Sequence, residues 1–192
     1  MSAAPARARA SARTRILHAA RRIVRRGGAG ALSIGDAATE ANVSKALVLY
    51  HFRDKDSLLT ALVDDIGADV LRRAGAPLDA SARAPLDALW AWTEFELRAG
   101  DIQALASLAA CESEPARAAS RRLALARRDA MAAQVGVVFG RLGLSPRMPE
   151  ALVAESLLAF VDGLASRVAL DAVPDPRAAY DVLWLALLTL VE

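Results

Sequence analysis

The spacing of apolar residues between Leu32 and Val70 predicts three successive helices. Apolar residues three or four positions apart fall on one face of a helix. The recurring positions are Ile34, Ala37, Ala38 and Ala41 in the first helix, Val48 and Phe52 in the second, and Leu58, Leu62, Ile66 and Val70 in the third. Each of these three segments therefore has one face suited to a protein core.

Capping residues mark where these helices begin. Ser33 and Asp36 fit a capping box, Ser44 is suited to cap the second helix, and Asp54 the third. Between the first two helices, Asn42 tolerates the left-handed conformation that a tight turn needs. Two short helices joined by a tight turn make up the helix-turn-helix arrangement, in which the second helix enters a DNA groove.

The same stretch resembles the N-terminal domain of tetracycline-repressor-like (TetR family) regulators. The resemblance is carried by Val43-Ser44-Lys45, Tyr50-His51-Phe52 and Asp54-Lys55-Asp56-Ser57-Leu58-Leu59, with an upstream run over residues 16–28 that is similar to the family's first helix. It covers about residues 13–70. The chain departs from the family at Asn42, where glycine is usual, at Ala29, where an aromatic residue is common, and at Leu49, where the family has tyrosine.

The second half of the chain also has helical patterns, broken at glycines and prolines. Helices are predicted over residues 86–99, 101–112, 115–142, 149–171 and 176–191. With the first four, they match the nine-helix plan of the family. The expected fold is all-α: a three-helix DNA-binding domain at residues 13–58, followed by a helical effector-binding and dimerisation domain at residues 59–192.

Charge is distributed unevenly along the sequence. The 66 residues up to Ile66 hold 11 Lys or Arg against 6 Asp or Glu, a net of +5, whereas the remainder holds 13 against 16, a net of −3. A basic N-terminal third suits contact with nucleic acid. Residues 1–12 have no periodic apolar pattern and are expected to be disordered, either as a basic arm that reaches a minor groove or as a solubilising tail.

Composition narrows the class further. Hydrophobic residues make up 55% of the chain, enough for a sizeable core, yet no run of 18 apolar residues suggests a membrane span. The N-terminus has no apolar segment typical of a secretory signal. The single cysteine, Cys111, excludes an internal disulfide and fits a reducing cytoplasm, where we expect the protein to reside.

Eight residues are candidates for DNA contact. Lys45 is the long polar side chain at the start of the second helix of the motif and the candidate for a guanine contact. Leu47 and Leu49 offer apolar contact to thymine methyl groups. The resemblance implies that phosphates are held by other residues of the same region, and the full candidate set is Ser33, Ser44, Lys45, Leu47, Leu49, Tyr50, His51 and Lys55.

Helix 86–99 is apolar on more than one face, which indicates a central position. Its tryptophans line a cavity or simply fill a core, and the resemblance implies an effector pocket. The candidate lining residues are Trp90, Trp92, Phe95, Leu105, Leu108, Met131, Val135 and Phe139. The expected effector is small and apolar, or cationic if it meets Glu94, Glu96, Glu112 or Asp162.

The last two helices carry apolar stripes that suit either their own subunit's core or a dimer interface. The resemblance implies the interface. Its candidate residues are Phe160, Gly163, Leu164, Trp184, Leu187 and Leu188. Ala159 and Gly163 lie on one side of a helix, four residues apart, so a second helix can approach closely there.

The residues form no recognisable catalytic constellation, and no cofactor or metal is expected. His18 and His51 have no Cys, Asp or Glu at ligand spacing, and Cys111 has no histidine near it in the sequence. The sequence therefore indicates a homodimeric transcription regulator that binds double-stranded DNA, most simply a repressor released by a small effector. The alternative, an all-helical small-molecule-binding protein or enzyme, leaves the Leu32–Leu59 pattern unexplained.

Overall fold

A computed structural model describes residues 11–76 and 85–189 of the chain. Its ordered elements are helical. They are α1 (Ala12–Gly27), a short turn of 3-10 helix (Ala29–Ala31), α2 (Ile34–Ala41), α3 (Lys45–Phe52), α4 (Lys55–Ala74), α5 (Pro85–Ala99), α6 (Asp101–Ala109), α7 (Glu114–Leu142), α8 (Glu150–Val168) and α9 (Pro176–Leu188). Nine α-helices in the described ranges confirm the all-α prediction. The expected basic arm falls mostly on residues 1–10, which lie outside these ranges.

The predicted helix ends agree with the observed ones to within a few residues. The largest differences are three residues each, at the C-terminal ends of α6, α8 and α9, which are predicted to end at residues 112, 171 and 191 and end at Ala109, Val168 and Leu188. Residues 110–113 instead lead into α7, whose first turn is capped by the hydroxyl of Ser113, which accepts from the Ala116 amide at 3.4 Å. None of the helices in residues 11–76 and 85–189 combines the length and the apolar character that a membrane span needs.

The chain divides into two compact units. The first comprises Met1–Ile66 and Ala104–Ser120, and the second comprises Gly67–Gln103 and Arg121–Glu192. The sequence-based division between residues 58 and 59 differs from this one, because the structure groups residues 104–120 with the N-terminal helices. One contact that links these segments is the hydrogen bond from the Ala29 amide to the Ser107 hydroxyl, at 2.6 Å.

In the first unit, α1 packs against α2 and α3. Its inward face carries Ile16, Leu17, Ala19, Ala20, Ile23 and Val24, all buried. On the outside, Arg22 and Arg26 of α1 both donate to the carboxylate of Glu40 on α2, at 2.8 and 3.0 Å. These hydrogen bonds, first from Arg22 and then from Arg26, hold the pKa of Glu40 below its usual value. The tie between the two helices is therefore present at neutral pH and is lost as the pH falls through that lowered pKa.

The second unit has a core built from α5, α7, α8 and α9. Its buried members include Leu89, Met131, Val135, Phe139, Leu157, Tyr180 and Trp184. The hydroxyl of Tyr180 donates to the carbonyl of Leu86 at 3.0 Å, so this buried polar group is satisfied. Burial of this kind is the main favourable term in folding, worth about 1.5–3 kcal/mol for each large apolar side chain.

A buried ion cluster fastens the C-terminal end of α4 within the second unit. Arg73 donates through Nε to Glu96 at 2.6 Å and through Nη2 to Asp101 at 3.1 Å. Glu96 and Asp101 are essentially inaccessible to solvent, whereas Arg73 keeps a fifth of its side chain exposed. Its guanidinium also lies over the ring of Phe95, 5.1 Å from the centroid. Arg73 thus pairs with two buried carboxylates at once.

We expect Arg73→Met to destabilise the protein by about 3–5 kcal/mol, because it removes the cation that pairs with the buried carboxylate of Glu96. Urea unfolding followed by circular dichroism measures the change. The neighbouring Arg72 pairs with Asp69 on an exposed face of the same helix, so Arg72→Met is the matched control. Its expected cost is below about 1 kcal/mol. Equal losses in the two variants would show that the buried cluster contributes no more than a surface pair.

Candidate nucleic-acid interface

The turn between α2 and α3 fixes how the two helices cross. Asn42 adopts the left-handed conformation, with φ 53° and ψ 56°. Its amide donates to Thr39 O at 3.1 Å, and the amide of Val43 donates to Ala38 O at 2.9 Å. These bonds satisfy carbonyls that the end of a helix leaves free. The predicted role of Asn42 as a substitute for glycine in this turn is confirmed.

Side-chain caps start each helix of the motif where the sequence predicts. The hydroxyl of Ser33 accepts from the Asp36 amide at 3.1 Å and donates to the Asp36 carboxylate. The hydroxyl of Ser44 accepts from the Leu47 amide at 3.1 Å, and the carboxylate of Asp54 accepts from the Ser57 amide at 2.7 Å. The Ser57 hydroxyl and amide together lower the pKa of Asp54, so this cap is charged at neutral pH.

Helix α3 is held by two apolar side chains. Val48 and Phe52 are buried, as their spacing predicts, and Arg13 of α1 places its guanidinium 5.3 Å from the centroid of the Phe52 ring. Two anchors one turn apart on an eight-residue helix leave the remaining face available to solvent. That face contains the candidate DNA contacts.

The outward face of α3 is polar, aromatic and free of carboxylates. Lys45 and Ser44 are exposed at its start, and Tyr50 is 80% exposed near its end. Leu49 is also exposed, whereas Leu47 and His51 are half-buried. The His51 ring meets that of Tyr50 edge-on, with the centroids 5.2 Å apart. The structure thus brings six of the eight candidates together on or beside one helix.

The other two candidates lie on neighbouring elements of the same unit. Ser33 is exposed at the start of α2, and Lys55 is exposed at the first residue of α4. Lys55 also borders a concave surface of about 600 Å³ that is lined in part by Gly30, Ser107, Cys111 and Glu112. Glu112, one of the carboxylates considered for a cationic effector, therefore belongs to the first unit.

Two further residues of this region were not identified from the sequence. Arg53 follows α3 with a φ of 62°, and its amide donates to Leu49 O at 2.8 Å. Its side chain is exposed beside the candidate contacts. Gly35, in the first turn of α2, lies directly against Lys45. Gly35 belongs to no apolar stripe or capping pair, so the sequence patterns did not mark it.

The candidate effector residues fall into different environments. Met131, Val135 and Phe139 are buried in the core of the second unit, with Trp90 and Trp92 packed against them. Leu105 and Leu108 are buried in the first unit, and Phe95 is 53% exposed. Among the described side chains, the buried Nε1 of Trp92 has no hydrogen-bond partner, and the same holds for Nε1 of Trp184 and Oε1 of Gln103.

Three of the four carboxylates considered for a cationic effector are already paired with arginines. Glu94 accepts from Arg98, Glu96 from Arg73, and Asp162 from Arg127 at 2.8 Å. These pairs remove the reason for expecting a cationic ligand at those positions.

The candidate dimer-interface residues on α8 and α9 differ in how deeply they are buried. Leu164, Trp184 and Leu187 are buried within their own chain, which leaves little of their surface for a partner, whereas Phe160 and Leu188 are half-buried. Gly163 is exposed, and a Cβ added there would meet no atom within 4 Å. The large apolar side chains of α8 and α9 that face solvent are Leu152, Val182 and Leu185.

Known proteins share both the motif and the fold. Residues 16–62 match the family model described as bacterial regulatory proteins, tetR family. A TetR-family transcriptional regulator structure from Rhodococcus sp. is 22% identical, with 93% of this chain and 97% of that one covered and a TM-score of 0.74. The reduced form of NemR from E. coli is 15% identical, covering 95% and 98%, with a TM-score of 0.77. GusR from Salmonella enterica is 18% identical, covering 93% and 95%, with a TM-score of 0.74. No curated protein sequence matches the chain.

The helix-turn-helix within residues 16–62 is a DNA-binding motif of the tetR type. The chain thus carries a tetR-type domain at residues 16–62 and shares the fold of TetR-family structures over nearly its whole length.

Tyr50→Ala is expected to leave folding stability within about 0.5 kcal/mol of the parent, because the side chain is largely exposed. It is expected to lower affinity for DNA, because the exposed Tyr50 hydroxyl lies on the outward face of α3 with the other candidate contacts. Thermal unfolding and fluorescence anisotropy with labelled duplex measure the two effects. Leu170→Ala, at a position 77% exposed in the second unit, is the control and should change neither. Unchanged DNA affinity in Tyr50→Ala would remove Tyr50 from the interface.

Proposed function

We propose that the protein is a homodimeric repressor that leaves a palindromic operator when a small effector binds. The observation that carries the proposal is the exposed face of α3, which presents Lys45 and Tyr50 and contains no carboxylate. Lysine and exposed hydroxyl groups suit phosphates and base edges. The direct contacts proposed are those of Ser33, Ser44, Lys45, Leu47, Leu49, Tyr50, His51 and Lys55.

A single copy of this motif can contact only a few base pairs of DNA. Helix α3 has eight residues, so only three or four side chains can reach base edges. A dimer doubles the contacts and places two such helices in successive major grooves, about 34–36 Å apart. The operator is then a near-palindrome whose half-sites share that spacing.

The outward surface of α8 and α9 supports dimerisation. A shallow apolar groove of about 490 Å³ is lined in part by Ala159, Phe160, Gly163 and Val173, with Arg167 as its charged member. Val182 and Leu185 are each about two-thirds exposed on α9. In a two-fold interface the same groove and the same exposed side chains occur on both subunits, so each subunit can cover the other's apolar surface.

The second unit supports an effector that is mainly apolar and carries a hydrogen-bond acceptor. Trp92, Met131, Val135 and Phe139 supply large apolar surface. The unpartnered Nε1 of Trp92 is a donor for which a buried ligand oxygen would be a partner. Because these side chains are packed together here, the effector enters by separating them. Release of DNA follows if the separated form favours a different arrangement of the dimer, and the coupling is then reciprocal.

Selection of bound fragments from the source genome tests the DNA-binding core of this proposal. Purified protein should enrich a small set of fragments that share an inverted repeat, and footprinting should show two protected half-sites one helical turn apart. Affinity should fall steeply with salt, because phosphate contacts release counterions. Reporter transcription from an enriched fragment then tests the repressor role, since it should be lower with the protein than without. Enrichment of no fragment, or equal binding to all of them, contradicts a specific operator.

Gly163→Leu is expected to weaken the dimer, because it puts a bulky side chain into the groove assigned to the partner. The monomer should fold normally, since nothing lies within 4 Å of the added Cβ. Sedimentation velocity over a micromolar dilution series measures the shift. Gly140→Leu on α7 is the matched control, at a helical glycine with equally open surroundings. A parent protein that sediments as a monomer contradicts the interface itself.

An effector is expected to change tryptophan fluorescence and to release operator DNA at the same concentrations. All three tryptophans of the chain, Trp90, Trp92 and Trp184, lie in the second unit. Trp92→Phe keeps the apolar ring and removes the donor, so it should weaken effector binding while leaving operator affinity unchanged. Compounds that quench fluorescence without releasing DNA would indicate a cavity without a regulatory role.

A further inference from the structure

The first turn of α2 supports the side chain of Lys45. A Cβ placed on Gly35 would lie 3.0 Å from Cε and 3.3 Å from Nζ of Lys45, and 3.6 Å from the Ser33 hydroxyl. Lys45 is the first residue of α3, yet the end of its side chain extends back across the neighbouring helix. The space that a side chain at position 35 would fill is therefore occupied by the lysine.

This contact constrains a side chain that is otherwise free to move. Lysine has a flexible four-carbon stem, and ordering it costs conformational entropy when it binds a partner. Packing the end of the stem against bare backbone removes part of that freedom before DNA arrives. A preorganised contact group loses less on binding than a free one. Lys45 is also the only Lys or Arg within Lys45–Phe52, so its orientation matters more than that of one cation among many.

We propose that Gly35 is a positioning residue for DNA recognition: the absence of a side chain there lets Lys45 lie along α2 in the orientation that contacts DNA. The proposal rests on the DNA-binding function and deepens it. Gly35 itself touches no base in this account, and its effect is transmitted entirely through Lys45.

The geometry makes affinity and stability respond in opposite directions to Gly35→Ala. The added methyl group is closer to Lys45 than nearly all real contacts of its kind, so the lysine must shift. The displaced atoms belong to the far end of a flexible, exposed side chain, and the fold pays little for their movement. Gly35 does not have a positive φ, so alanine can adopt its backbone conformation and loses less conformational freedom on folding than glycine does. The variant should therefore unfold at the same temperature or a higher one and bind operator more weakly.

A double-mutant cycle on the full-length protein separates this role from a direct clash with DNA. The four proteins are the parent, Gly35→Ala, Lys45→Ala and the double variant, measured for operator affinity at several salt concentrations and for melting temperature. Lys45→Ala is expected to lose about 5- to 150-fold in affinity. Gly35→Ala should lose a smaller part of that in the parent and nothing further in the Lys45→Ala background. Gly140→Ala, at an open helical glycine on α7, is the control and should leave DNA binding unchanged.

Each outcome decides something different. Loss of affinity from Gly35→Ala that persists without Lys45 overturns the proposal, because the methyl group then acts on DNA directly. Unchanged affinity in Gly35→Ala alone also overturns it, since the orientation of Lys45 then has no effect. Failure of the parent protein to bind any DNA would instead overturn the proposed function, because the double-mutant cycle starts from the parent's operator affinity.

Discussion

The backbone conformation of Asn42 is the constraint on which the recognition surface depends. One left-handed residue ends α2, and two hydrogen bonds from the turn tie the chain back to Ala38 and Thr39. The chain then re-enters a helix at Lys45, close enough to α2 for the lysine to reach Gly35. The burial of Val48 and Phe52 follows from the same crossing, and so does the exposure of the opposite face. A β-branched residue at position 42 would strain this turn and disturb every contact that depends on it.

Local signals account for most of what the sequence predicts. Caps such as Ser44 and Asp54 act within three residues of themselves, and glycines and prolines break helices where they stand. The all-α fold, the helix-turn-helix and the inward positions of α3 and α4 all rest on such short-range patterns. The same patterns place the candidate DNA contacts on an exposed surface, because a helix held by two anchors has only one face left.

Features that depend on distant partners were not predictable in the same way. In the sequence, Glu96 is indistinguishable from an ordinary helical carboxylate. Its pairing with Arg73, which is 23 residues away in the sequence, is visible only in the structure. In α9, apolar residues occur on every side, so periodicity alone cannot tell which of them face the core. The structure turns Tyr180 and Trp184 inward and leaves Val182 and Leu185 in solvent. That choice is made by the packing of α9 with the rest of the second unit's core, and no stretch of α9 encodes it alone.

The rarity of lysine gives the first unit an unusual chemical handle. Lys45 and Lys55 are the only lysines in the chain, and both are exposed. Apart from His18 and His51, every other basic side chain is arginine, whose guanidinium does not react with acylating reagents under mild conditions. Side-chain acylation by an amine-reactive ester is therefore confined to two sites, both in the candidate interface. Acetylation at either position would remove a positive charge there and nowhere else along the protein.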